Sequence, residues 1–239
     1  MIDAVFRRKT LVVSVLLALL AVSFATTQAQ AAPNWMISPV GSEIGPGLPV
    51  ELAAKTEKAL DLLSKLSGKA VSLTCETLAL NKALLEGEGK GSGALTFSGC
   101  LFIWGGVTQA KCKPHSKGAA EGTIVTEALK SQLVTHEGAT LDQVKPATGA
   151  TFVTIILGKE GELNECAAGE KLPVSGVFYA KDANGKFELE QEAHLLEEGP
   201  LTHLWILNET AEHNATLDGS ASLTFVGNHL GREWSGLGS

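Results

Sequence analysis

Along most of the chain, apolar and polar residues alternate with a period of two. Val71, Leu73 and Cys75 are interleaved with Ser72, Thr74 and Glu76, the pattern of a strand with one face buried and the other in water. "ALTF", "TIVT", "ATFVTIIL", "VSGVFYA", "KFELEQEAHL", "LTHLWIL" and "ASLTFVG" repeat the theme, each short and bounded by Gly, Pro, Asn or Asp. Asn184-Gly185 in "KDANGK" predicts a two-residue hairpin, because both residues tolerate the positive φ that such a turn needs. Many short strands between turns predict a mainly-β fold. An antiparallel sandwich or a barrel-like sheet fits, with little helix outside the N-terminal leader.

Two stretches do not follow the alternation. "VELAAKTEKALDLLSKLSGK", Val50 to Lys69, is rich in helix formers, and Leu52, Ala59, Leu62, Leu63 and Leu66 would form one helical face. Its periodicity fits helix and strand equally, and "EALKSQLV" is a smaller case of the same kind. "GSGALTFSG" (91–99) is echoed by "GSASLTFVG" (219–227), either as two related halves or as one recurrent way of starting a strand.

The N-terminus changes the context. Arg7, Arg8 and Lys9 precede an apolar run over 11–25, which is followed by Ala29-Gln30-Ala31. A charged start, an apolar middle and a small-x-small end predict a secretory signal peptide over 1–31. The run is shorter than the ~20 residues needed to cross a bilayer. Arg7-Arg8 leaves general and twin-arginine export both open. The expected organisation is a leader over 1–31, an irregular Gly/Pro-rich segment over 32–48, and a single β-rich domain over 49–239. The expected destination is extracellular, with no membrane-spanning segment after cleavage.

Net charge is −7. Loss of the leader removes Arg7, Arg8, Lys9 and Asp3, which leaves the remaining chain more acidic still. Such a chain offers no electrostatic footprint for nucleic acid.

Cys75, Cys100, Cys112 and Cys166 follow the leader, so they meet an oxidising compartment, where an even number of cysteines predicts disulfides. No Cys-x-x-Cys is present to suggest a structural zinc site or a redox pair. Gly105-Gly106 lies midway between Cys100 and Cys112, and a hairpin there would bring the two together. That pairing leaves Cys75 with Cys166.

The order of features resembles that of a group of secreted, β-rich proteins of soil actinobacteria to which no activity is attached. The resemblance rests on "LLSKLSGKAVSLTC" (62–75), "FSGC" (97–100), "CKPHSKGAAEGTIVTEALKSQL" (112–133), "GATFVTIIL" (149–157), Cys166, "VSG" (174–176) and "ATLDGSASLTFVG" (215–227). It implies a secreted, disulfide-bonded β protein, and it tilts Val50 to Lys69 toward strand. It supplies no catalytic residues and no cofactor.

Motifs of catalysis are absent. There is no Gly-x-Ser-x-Gly elbow, no Ser-x-x-Lys and no His-Glu-x-x-His. Two constellations remain. In a strand, Glu188, Glu190, Glu192 and His194 share one face. They could meet a hard cation or serve as acid and base in glycoside cleavage, or they could simply be a solvated face guarding a sheet edge. His203 and Trp205 share a face of "THLWILN", where the ring could be a sugar platform or ordinary core. Two readings of function follow. One is a secreted, non-catalytic protein that binds a cell-surface or carbohydrate ligand. The other is a secreted glycosidase-like hydrolase.

Overall fold

A computed structural model describes residues 32–38, 42–45, 50–158, 166, 168, 170–181, 185–195, 203–208 and 211–237. The leader expected over 1–31 lies outside the described residues. Among the described residues, eighteen strands follow one another: β1 (Asn34–Ile37), β2 (Ser42–Glu43), β3 (Val50–Leu66), β4 (Lys69–Cys75), β5 (Thr77–Glu86), β6 (Lys90–Ser98), β7 (Leu101–Trp104), β8 (Val107–Thr108), β9 (Pro114–His115), β10 (Ile124–Val125), β11 (Leu129–His136), β12 (Ala139–Pro146), β13 (Thr151–Leu157), β14 (Lys171–Lys181), β15 (Glu190–Leu195), β16 (His203–Asn208), β17 (Ala211–Phe225) and β18 (Trp234–Leu237). The fold is mainly β, as the alternation predicts.

Eight antiparallel positions close into a barrel. Around it run β3, β5, β6, β11, β12, β14, a shared position, and β17, which returns to β3. The shared position is filled by β16 beside the first half of β17 and by β15 beside the second half. β4, β7 and β8 extend the sheet from the later half of β3, while β10 pairs with β6 and β9 with β13.

Val50 to Leu66 is one long strand. It alternates inward Val50, Leu60, Leu62 and Leu66 with exposed Glu51, Lys55, Glu57 and Lys65. Leu63, which the helical reading would bury, is 40% exposed. Partners on both edges decide the conformation: β17 on one, β5 and then β4 on the other. Tertiary pairing overrides a helix preference worth only tenths of a kcal/mol per residue. "EALKSQLV" likewise becomes β11.

Residues 32–48, expected to be irregular, contribute two strands instead. β1 lies between β18 and β2 in a small separate sheet that caps one end of the barrel. Trp35 and Trp234 are fully buried there, and the Phe225 ring stacks on Trp234 at 5.1 Å. The Trp35 indole N–H donates to the Lys90 carbonyl, and the Gly89 N–H donates to the Asn34 side chain. Gln191, also fully buried, donates to the carbonyls of Trp234 and Lys186.

Asn184, of the two-residue hairpin expected at Asn184-Gly185, lies outside the described residues, and among the residues that flank it Lys181 pairs with His194. Glu188 is drawn into a backbone bridge with Trp234 of the cap. The echoed segments both become strands, and both turn their Leu and Phe inward: Leu95 and Phe97 in β6, Leu223 and Phe225 in β17.

The disulfides correct the expected pairing. Cys75 is bonded to Cys100, and Cys112 to Cys166. The hairpin at Gly105-Gly106 does form, with φ of 58° and 82° at the two glycines, but its second strand is only two residues long. The chain then leaves the sheet in a turn from Gln109 to Cys112. β7 has β4 on its other edge, in a register that sets Leu73 opposite Phe102 and Thr74 opposite Leu101. One step further along, that register sets Cys75 opposite Cys100.

Gly176 marks a close approach. Its φ is +121°, and a Cβ there would lie 1.8 Å from the His203 carbonyl oxygen of the neighbouring strand. Gly176→Ala is expected to cost about 1–3 kcal/mol through strain at positive φ and loss of the β14–β16 pairing. Urea unfolding of the variant measures this, and an unchanged midpoint would contradict the packing described.

Candidate functional site

The two apolar clusters of the barrel leave space between them. One lies against the cap, around Trp35, Val50, Leu85, Phe225 and Trp234. The other fills the far end, around Leu62, Leu73, Phe102, Ile155 and Ile206. Between them, the inward positions of several strands carry residues too small to meet across the barrel. These are Ala83 on β5, Gly91 and Gly93 on β6, Ala180 on β14, Ala193 on β15 and Ala221 on β17. An eight-stranded barrel is just wide enough either to be filled by large side chains or to hold one small ligand. Glycine and alanine at these positions leave an apolar cavity of about 130 Å3. A second apolar cavity, of about 60 Å3, adjoins it. Only Leu60, Leu95, Phe97, Phe178 and Leu217, which line both, separate the two.

One carboxyl points into the larger cavity. Asp142 lies on β12 between Leu133 of β11 and Ala180 of β14, and it is 8% exposed. Burial pushes its pKa up to about 7, and a hydrogen bond from the Ser131 hydroxyl partly opposes that rise. Its Oδ1 has no hydrogen-bond partner. Gly91 of β6 pairs with Ser131, and a Cβ on it would lie 2.5 Å from the Ser131 hydroxyl oxygen. The bare glycine therefore makes room for the hydroxyl that holds Asp142. Among the described residues, Lys130 is the only other ionisable one along the cavity wall. Its ammonium lies on the outer surface, donating to the Ala147 carbonyl.

The residues singled out in the sequence lie elsewhere. Glu190, Glu192 and His194 do share one face of β15, and it is the outer one, with Gln191 and Ala193 turned inward. Glu192 and His194 approach to 3.4 Å as an exposed pair. Glu188, before the strand, is exposed as well. His203 is exposed and Trp205 half-buried on the outer face of β16, where the indole rests against Gly176. The two constellations do not converge. Glu192 pairs with Ser222 and Trp205 with Asn214, which places them roughly 25 Å apart along β17 at ~3.3 Å per residue. Among the described residues, no group of three or more His, Cys, Asp or Glu side chains is arranged to hold a metal ion. Among the described residues the cavity wall holds a single carboxyl, and no second one faces it to form the two-carboxylate pair of a glycosidase.

Sequence reasoning missed Asp142. The segment "ATLDQVKP" carries no motif that singles it out, and polar residues fall on both of its faces: Thr140 beside Asp142 on one, Gln143 and Lys145 on the other. The available signal is the residue type, since aspartate is depleted from strand interiors.

Fold and site together define a closed antiparallel barrel with an internal apolar chamber and one buried acid. No protein-family model, no curated protein and no solved structure matches the chain. Two disulfides join its described cysteines, and no described helix is long and apolar enough to cross a membrane.

Proposed function

We propose that this protein is an exported, non-catalytic binding protein that carries a small apolar molecule inside its barrel. The observation that carries the reading is the cavity. A wall of glycine and alanine leaves a space that ordinary Val, Ile or Leu at the same positions would fill. An apolar cavity of about 150 Å3 is enough to take up benzene, and the larger chamber is close to that size. The leader pattern over 1–31 and the disulfides support export, in keeping with the resemblance to secreted actinobacterial proteins.

Benzene is the direct probe. Titrated into methyl-labelled protein, it is expected to shift the NMR signals of Leu60, Leu95 and Leu217 with an affinity in the ~1 mM range or tighter. Ala180→Leu and Ala221→Leu, which project new side chains into the chamber, should abolish the shifts in a protein that remains folded. Unmoved wall methyls at saturating benzene would overturn the reading.

A further inference from the structure

We infer that the chamber is built for a small apolar amine, with its ammonium group paired to Asp142 and its hydrocarbon body against the glycine and alanine wall. This rests on the cavity reading above and adds the chemistry of the ligand.

Among the described residues, Asp142 and Lys130 are the ionisable residues lining the space, and one oxygen of Asp142, the buried Oδ1, has no hydrogen-bond partner. The groups around it are fixed by the register of the neighbouring strands. β11 presents Ser131 and Leu133, β14 presents Phe178 and Ala180, and β6 presents Gly91 and Gly93 across the same interior. β15 and β17 add Ala193, Leu195, Ala221 and Leu223. None of these carries a charge, and the one lysine at the wall points outward to Ala147.

A carboxyl held in such surroundings lacks a counter-charge that no described residue supplies. Three kinds of head group could meet it. A carboxylate would place like charges together or require a shared proton. A hydroxyl would satisfy Oδ1 with one neutral hydrogen bond. An ammonium would satisfy it with a charge-assisted hydrogen bond, about twice as strong as a neutral one, and would compensate the buried charge. The chamber's volume suits a body of about five or six carbon atoms.

Binding of an ammonium ion requires the ionised carboxylate. Asp142 keeps its proton up to about pH 7, so a bound amine must displace that proton at lower pH. Amine affinity is expected to rise by up to about tenfold per unit between pH 5 and 7, and then to level off until the amine itself loses its charge near pH 10.

The test compares 1-pentylamine, 1-pentanol and pentanoate, with benzene as a head-group-free reference, by calorimetry and methyl NMR at pH 5, 6, 7 and 8. At pH 8 the wild-type protein is expected to bind pentylamine at least ~10-fold more tightly than pentanol, with pentanoate weakest. Asp142→Asn should bring the amine and the alcohol within about 2-fold of each other, remove the pH dependence, and retain benzene. Equal binding of amine and alcohol by the wild type would overturn the assignment, and so would an amine preference that survives in Asp142→Asn. Benzene binding without amine preference would overturn this inference alone. Failure of benzene itself would overturn the cavity reading and this inference with it.

Discussion

Asp142→Asn is expected to stabilise the protein at pH 8 by about 2–4 kcal/mol and to change its stability at pH 4 by less than about 1 kcal/mol. In the folded barrel, burial raises the carboxyl's pKa from 3.8 to about 7. Below about pH 4 both folded and unfolded chains hold the proton, and the group makes no difference between them. Between about pH 4 and 7 the folded chain keeps a proton that the unfolded chain has lost. The uncharged form therefore supports folding less and less as pH rises, and above 7 a charge must be buried at full cost. Each pKa unit is worth about 1.4 kcal/mol, so the whole interval sets the upper end of the expected gain. Asparagine has nearly the same shape, never carries the charge, and can still accept the Ser131 hydrogen bond. Denaturant unfolding of both proteins at pH 4, 5, 6, 7 and 8 measures the difference, in which titrations elsewhere cancel. Parallel stability profiles would show that Asp142 ionises without cost, and the description of its surroundings would be wrong.

Removal of the Cys112–Cys166 bridge, by alanine at both positions, is expected to cost about 4 kcal/mol. Removal of Cys75–Cys100 is expected to cost about 3.5 kcal/mol. The figures follow from the chain entropy of the closed loops, which span 54 and 25 residues. Local structure points the same way. Cys75 ends β4 and Cys100 immediately precedes β7, two strands already joined by a backbone ladder, so the sheet holds much of that geometry without the bond. Cys112 and Cys166 lie outside the regular strands, and their bond ties two connecting segments to the core. Unfolding midpoints of the two double variants test the order, and peptide mapping without reductant tests the pairing. A fragment joining Cys100 to Cys112, or a smaller loss from the longer bridge, would contradict the account.

Much of the architecture was legible because it depends on short-range pattern. Alternation located β4, β6, β10, β13, β14, β15, β16 and the end of β17, though not β5 or β12, and Gly105-Gly106 located a real turn. What failed depended on partners distant in sequence. The cysteine pairing was inferred from the hairpin that contains Cys100, whereas the partner strand of Cys100 lies on the opposite edge. Val50 to Leu66 could not be assigned by periodicity, because its strand character comes from neighbours on both sides. The site was illegible for a related reason. Glu190, Glu192 and His194 drew attention because they are conspicuous, and they are conspicuous because that face is in water. Asp142 stands out by no sequence motif, and only the pairing of β12 with β11 and β14 places it inside the barrel. The chamber itself was written as small residues at alternating positions on five strands, a pattern that acquires meaning only once those strands are known to face one another.

The cap sheet has a consequence for the order of assembly. Asn34 pairs with Leu237 and Ile37 with Trp234, so the first and the last of the described strands finish one small structure together. A chain that appears N-terminus first, from a ribosome or through an export channel, presents the Trp35 indole long before the strand that covers it exists. Nearly the whole barrel can close in that interval while its end stays open. β18 is then the strand that seals it, and a chain lacking that strand would leave Trp35 without its cover and β1 held on the β2 side alone.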